Sequence, residues 1–139
     1  MGHGDDEELF RRESENLDNV ELVGFVDNVG DYLSILDVFT YPSLHEGMGS
    51  AIIDAMDFSL PVVATNVGGL PEIVVHEETG LLVPSRDEQA MAEALQRLLR
   101  DDVLRAKLGH AGQVRAETHF SAVVVSSKFA NQSLLQRHR

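Results

Sequence analysis

Residues 42–83 read PSLHEGMGSAIIDAMDFSLPVVATNVGGLPEIVVHEETGLLV, and the order of residue types in this stretch decides the fold. Two glycine-bearing turns, Glu46-Gly47-Met48-Gly49 and Gly68-Gly69, each lead into residues at helical spacing. The first spacing predicts a helix from Gly49 to about Phe58, with Ala51, Ile52, Ala55 and Met56 on one side. Between the turns, Pro61-Val62-Val63-Ala64-Thr65 is apolar at consecutive positions. That is the pattern of a strand buried on both faces, and hence of a parallel sheet. A further helix starts over Leu70–Val75, with Pro71 in a position suited to a first turn. Leu81-Leu82-Val83 reads as a short strand.

The same alternation continues on both sides. Upstream, a helix is predicted from Asp5 to about Asn16, a strand over Val20–Val26, a short helix over Asp31–Leu36 and a strand over Asp37–Pro42. The short helix carries an apolar stripe of Tyr32, Leu33, Ile35 and Leu36. Met1-Gly2-His3-Gly4 reads as a Gly-x-Gly turn with no strand in front of it. Downstream, Ser85 and Glu88 have the spacing of a capping box. It opens a helix to about Arg100 with Met91, Leu95, Leu98 and Leu99 facing inward. Another helix runs from Asp101 to about His119, and a last one from Ser121 to about Gln136, ending in the basic Gln136-Arg137-His138-Arg139. Strands alternating with helices at this spacing give an α/β fold with a doubly wound, Rossmann-like parallel sheet.

Composition narrows the function. The chain has 139 residues, enough for one domain with a real core. No run approaches the length of a membrane span and no signal peptide is visible, so a cytoplasmic location is expected. There is no cysteine, which excludes disulfides and thiolate metal sites. The net charge of −12 is unevenly spread. Residues 1–80 hold 17 acidic residues and only Arg11 and Arg12 as bases, a net of −15, while residues 81–139 are +3. Nucleic acid and anionic membrane both require clustered Lys or Arg, so neither is expected as a partner. The six histidines show no metal-ligand spacing.

The residues that carry chemistry sit in the two glycine turns. Glycine lets backbone N–H groups approach a ligand closely, and the start of a helix favours anions. Glu46 precedes the first turn, and Asp54 lies five residues into the helix, about 7–8 Å from Gly49 along its axis. Two such carboxylates suit separated polar parts of one extended guest, and carboxylates accept hydrogen bonds from sugar hydroxyls. Gly68-Gly69 offers N–H groups to the same ligand, since open α/β sheets bind at the carboxyl ends of their strands. Glycines before a helix also make ordinary tight connections, and a carboxylate there also satisfies the helix terminus. The residues alone leave both readings open.

Taken together, these motifs resemble the donor-binding half of retaining glycosyltransferases of the GT-B fold, the glycosyl transferases group 1 family. The resemblance rests on Pro42-Ser43, Glu46-Gly47-Met48-Gly49, Ala55-Met56, Leu60–Thr65, Gly68–Val74 and Thr79–Val83, and runs from Gly2 to about Phe120. It implies a partial nucleotide-sugar-binding domain over 1–120, followed by a C-terminal helix and basic tail over 121–139. It implies transfer of a sugar from a nucleotide diphosphate sugar to an acceptor with retention of configuration, and no essential metal. Glu46 matches the carboxylate at the donor sugar and is the expected catalytic residue. Gly47, Met48, Gly49 and Ser50 match the backbone donors facing sugar and phosphate. Asp54 falls where the family has a glutamate holding the ribose hydroxyls, and Gly68 and Gly69 complete the set.

The chain departs from the family pattern in three places. Asp54 reaches about 1–1.5 Å less than glutamate, so ribose contact is lost or runs through water. Phe58-Ser59 stands where the family has a small residue and glycine, and a left-handed Ser59 costs about 1 kcal/mol. The family's preceding strands, their Arg and Lys for the diphosphate, and the acceptor domain have no counterpart here. In the family's strand order, 3-2-1-4-5-6, strand Val20–Val26 then does not neighbour the strand ending at Pro42. These points predict a piece that is inactive alone and that homo-oligomerises by strand exchange or repacks. The competing expectations are a non-catalytic sugar-nucleotide-binding or oligomerisation module, and a fragment of a GT-B sugar-nucleotide epimerase.

Overall fold

The computed structural model describes residues 3–21, 23, 27–44 and 49–119. Three strands, β1 (Phe39–Tyr41), β2 (Val62–Thr65) and β3 (Gly80–Val83), form a parallel sheet in the order β1-β2-β3. Phe39 is in register with Val62, and Val62 with Gly80. Six helices accompany them among the described residues: α1 (His3–Ser14), α2 (Val29–Leu33), α3 (Gly49–Asp57), α4 (Leu70–Ile73), α5 (Glu88–Arg100) and α6 (Asp102–His119). Helix α3 joins β1 to β2 and α4 joins β2 to β3, so each crossover connects adjacent parallel strands, as the α/β reading requires.

The sheet is covered on both faces. Val62 and Ala64 of β2 join Ile52, Met56, Leu70 and Val74 on one face. Val63 joins Leu81, Val83, Ala94, Leu98 and Leu108 on the other. All four residues of β2 are buried, which is why that strand reads as a run of apolar residues closed by Thr65. Helix α6 contributes to both clusters, Ala116 to the first and Leu108 to the second.

Small residues let α6 lie close. A Cβ added to Gly109 would overlap the backbone carbonyl of Ser59, and one added to Gly112 would stand 3.6 Å from Met56 Cγ. Ser59 has φ 61°, the left-handed turn expected at the end of α3. Its hydroxyl donates to Gln113 Oε1 of α6 at 2.7 Å, a bond that offsets backbone strain a glycine would not carry.

Several local expectations are corrected. The start of α5 is capped by Asp87, whose carboxylate accepts from Ala90 N at 2.9 Å; Ser85 is not the N-cap. The left-handed turn at Arg86, φ 61°, separates Ser85 from the helix, and Asp is as good a cap as Ser. On α5 the inward face is Met91, Ala94, Leu95 and Leu98, at i, i+3, i+4 and i+7, while Leu99 is 60% exposed. Helix α1 includes His3 and Gly4, while Met1 and Gly2 of the expected Gly-x-Gly turn lie outside the described residues. A lone glycine costs a helix only about 1 kcal/mol, and the acidic residues after it favour an N-terminus at this point.

Helix α2 begins at Val29 and ends at Leu33. Of its expected apolar stripe only Leu33 is buried; Tyr32, Ile35 and Leu36 are exposed because no described residue covers that side. Strand Val20–Val26 is not seen in Val20, Glu21 or Val23, of which Val20 and Val23 are exposed. Leu22, Gly24, Phe25 and Val26 lie outside the described residues, as does the expected helix 121–136 with its basic tail.

Candidate functional site

Parallel order brings the carboxyl ends of β1, β2 and β3 to one side of the sheet, and both glycine turns follow such ends. The turn into α3 follows β1, and Gly68-Gly69 follows the neighbouring β2. Glu46, Gly47 and Met48 lie outside the described residues, as does His45. The remaining candidates are placed. Gly49 and Ser50 are half-buried at the start of α3. Asp54 is half-buried one turn further along, on the same side as Ser50. Gly68 is exposed with φ 52°, a left-handed conformation that explains why glycine stands there. Gly69 is half-buried and begins α4, with Pro71 in the first turn.

Helix α4 packs on α3. A Cβ added to Gly49 would stand 2.6 Å from Ile73 Cδ1, so the end of the Ile73 side chain lies against the start of α3 and would have to shift to admit a larger residue there. Helix α4 is held from behind by Arg115 of α6. Its Nε donates to Ile73 O at 3.1 Å and its Nη2 to Glu72 O at 2.7 Å. Those carbonyls end a four-residue helix and have no partner within it. Thr65, the last residue of β2, is 3% exposed and donates from Oγ1 to Ser43 O at 2.6 Å.

These two anchors escaped the sequence reading. A hydroxyl closing an otherwise apolar strand is a faint signal for Thr65. Arg115 offers none, because its acceptors are carbonyls more than 40 positions away.

Three arginines of α5 and α6 serve the framework. Besides Arg115, Arg105 donates to Leu98 O and pairs with Asp102. Arg97 of α5 forms a bidentate pair with Glu77, one arm at 2.7 Å. The hydrogen bond from Arg97 holds the Glu77 carboxyl below its ordinary range. Glu77 has φ 67° in the turn before β3, so the pair fixes a strained backbone site. Nearby His76 accepts a hydrogen bond at Nδ1 from Leu82 N at 2.9 Å. Among the described residues no three His, Cys, Asp or Glu side chains gather as a metal site, and no helix is long and apolar enough to cross a membrane.

Comparison with known proteins adds to this geometry. A family model described as glycosyl transferases group 1 matches residues 1–101. A second model, BolA-like protein, matches residues 93–139. Its described part, 93–119, is the end of α5 and α6, which pack on the sheet that the first model covers. The capsular polysaccharide biosynthesis glycosyltransferase CapM of Staphylococcus aureus is 36% identical over 107 residues, which is 77% of this chain and 28% of that protein. Sucrose-phosphate synthase of Thermosynechococcus elongatus superposes with a TM-score of 0.76 at 34% identity, over 96% of this chain and 34% of that one. Anabaena HepE, crystallised with UDP and glucose, superposes with a TM-score of 0.82 at 25% identity, over 94% of this chain and 37% of that one. The chain thus spans about a third of the length of these relatives.

Proposed function

The chain belongs to the glycosyl transferases group 1 family, and on that premise we propose that it forms the donor-binding part of a retaining glycosyltransferase. The reaction would break the bond between the donor sugar's C1 and its nucleotide diphosphate. An acceptor hydroxyl oxygen would bond to C1 on the same face, the nucleotide diphosphate leaving with the electron pair of the broken bond and taking up the acceptor's proton. In this reading Glu46 meets the donor sugar, accepting hydrogen bonds from its hydroxyls. The backbone of Gly47, Met48 and Gly49, with Ser50, faces sugar and phosphate. Asp54 serves the ribose hydroxyls, directly or through water, and Gly68 and Gly69 present N–H groups from the neighbouring turn. No essential metal takes part, and the protein works in the cytoplasm.

One observation carries this reading. Two glycine turns leave adjacent parallel strands at the same side of the sheet, in a chain that superposes on a relative crystallised with UDP and glucose. The arginines of α5 and α6 named above are tied to the framework, so the diphosphate charge calls for cations beyond them.

The exposed apolar residues around α2 favour a second, compatible reading, in which copies of the chain associate by strand exchange. Sedimentation equilibrium checks it: a monomer at all concentrations removes it.

Calorimetric titration with UDP, GDP and ADP tests the main proposal. The expected result is saturable binding of one of them, weakened by Glu46→Ala. Absence of binding at millimolar nucleotide would overturn it.

A further inference from the structure

We propose that His76 is a protonation-sensitive latch on the outer edge of the sheet: its neutral ring holds the turn before β3 against that strand, and its protonated ring lets go. The inference stands apart from the donor-binding reading, because it rests on β3 and the turn 75–79 alone.

Among the described residues β3 ends the order β1-β2-β3, so one of its edges faces away from β2. Val83 O accepts from Asn66 N, on the β2 side. Backbone groups alternate along a strand, so those of Gly80 and Leu82 point outward. The preceding turn meets two of them. Glu77 N donates to Gly80 O at 2.8 Å, and Leu82 N donates to His76 Nδ1 at 2.9 Å. His76 and Gly80 form a parallel bridge. The ring thus takes the place that a carbonyl of a neighbouring strand would fill.

The turn is closed within itself. Glu78 N and Thr79 N donate to Val75 O at 3.0 and 2.9 Å. Val75 N donates to the hydroxyl of Thr79, a buried residue. The bond from Leu82 joins this closed unit to the interior of β3.

A ring nitrogen that accepts carries no hydrogen, so the ring in this bond is neutral, with its hydrogen on Nε2. Protonation places a hydrogen on Nδ1, and two donors then face each other. The side chain of His76 is 52% exposed, so a proton reaches it without unfolding. The charged group facing Nε2 is the Glu77 carboxylate at 3.7 Å, with Glu78 next in the same turn. Arg97 of α5 and Lys107 of α6 both act on Glu77, and the bond from Arg97 favours its ionised form. An imidazolium that leaves Leu82 therefore has an anion beside it.

The test follows the whole, isotope-labelled chain by NMR from about pH 8 to about pH 5, the range in which histidine changes charge. Ring nitrogen shifts are expected to show the Nε2–H form of His76 at the upper end. The protection factor of the Leu82 amide, corrected for the intrinsic pH dependence of exchange, is expected to fall about fivefold in step with ring protonation. Glu78 and Thr79, bonded inside the turn, should change less.

Two variants separate the latch from a general effect of acid. Asparagine carries an oxygen near the position of Nδ1 and does not titrate, so H76N should keep Leu82 protected across the range. H76A removes the acceptor and should leave Leu82 poorly protected throughout. An Nδ1–H ring at the upper end, constant Leu82 protection in wild type, or the same fall in H76N would overturn the proposal.

Discussion

Residues 49–119 and residues 3–44 share one alternating pattern of apolar and polar positions, yet they end in opposite states. Sixteen of the seventeen buried hydrophobic residues among the described ones lie in 49–119; the exception is Leu33. Nine of the thirteen exposed large hydrophobics lie before residue 45, from Leu9 to Leu44. The later region carries α3, α5 and α6, which bury residues against both faces of the sheet, whereas the described part of 3–44 adds only Leu33 to the buried residues of that core. Apolar periodicity states which side of an element seeks cover. It does not supply the cover.

The sharpest test of this contrast pairs two isoleucines. Ile52 is fully buried on α3, and Ile52→Ala is expected to cost about 2–5 kcal/mol in urea unfolding. Ile35 is 76% exposed, and Ile35→Ala should stay within about 0.5 kcal/mol. A loss above 2 kcal/mol at Ile35 would mean that the face around α2 is covered in solution.

Next in size is Arg115→Met, which removes two charge-assisted bonds to the carbonyls ending α4. A loss of about 1.5–3 kcal/mol is expected from the same unfolding curves. No loss would show that α4 is held by its apolar contacts alone.

A smaller effect is expected at Ser59. Ser59→Gly relieves a left-handed backbone worth about 1 kcal/mol but gives up the bond to Gln113, so the single change should be nearly neutral. In a Gln113→Ala background the same change should stabilise by about 1 kcal/mol. Equal effects in the two backgrounds would show that the hydroxyl contributes nothing.

The smallest effect concerns Glu77. Its folded pKa is lowered, chiefly by the hydrogen bond from Arg97. Its contribution is therefore present above the ordinary carboxylate value of 4.5 and is lost as pH falls through the lowered folded value. Glu77→Gln should flatten the stability profile in that acid range and leave the rest of the curve parallel. The pair is exposed, so the difference is small. A variant as steep as wild type would remove Glu77 from the account.

Much of the later region was legible from residue types. Val62–Thr65 announced a doubly buried strand and Gly49–Asp57 a helix, because each depends on chain-local chemistry, whereas the left-handed Ser59 was suggested only by the glycine that the family has at that place. The cap of α5 was misread by two positions because Ser85, Asp87 and Glu88 all suit a helix start, and the left-handed Arg86 decided among them. Leu99 was misread because it sits one step beyond the inward face of its helix. At the candidate site, Gly49, Asp54, Gly68 and Gly69 stood out by spacing and Ser50 by the family resemblance, while the contacts that hold their backbone did not.

By itself, the sequence determined the α/β alternation, the parallel character of the sheet and the glycine turn at Gly68-Gly69. These follow from side-chain periodicity and from the conformations glycine permits, both properties of short stretches. The tertiary structure alone decided that Arg115 grips α4, that Thr65 reaches back to Ser43, and that α2 keeps most of its apolar face exposed. Each of these depends on which groups distant in the chain come within hydrogen-bonding or packing distance, and no local pattern encodes that.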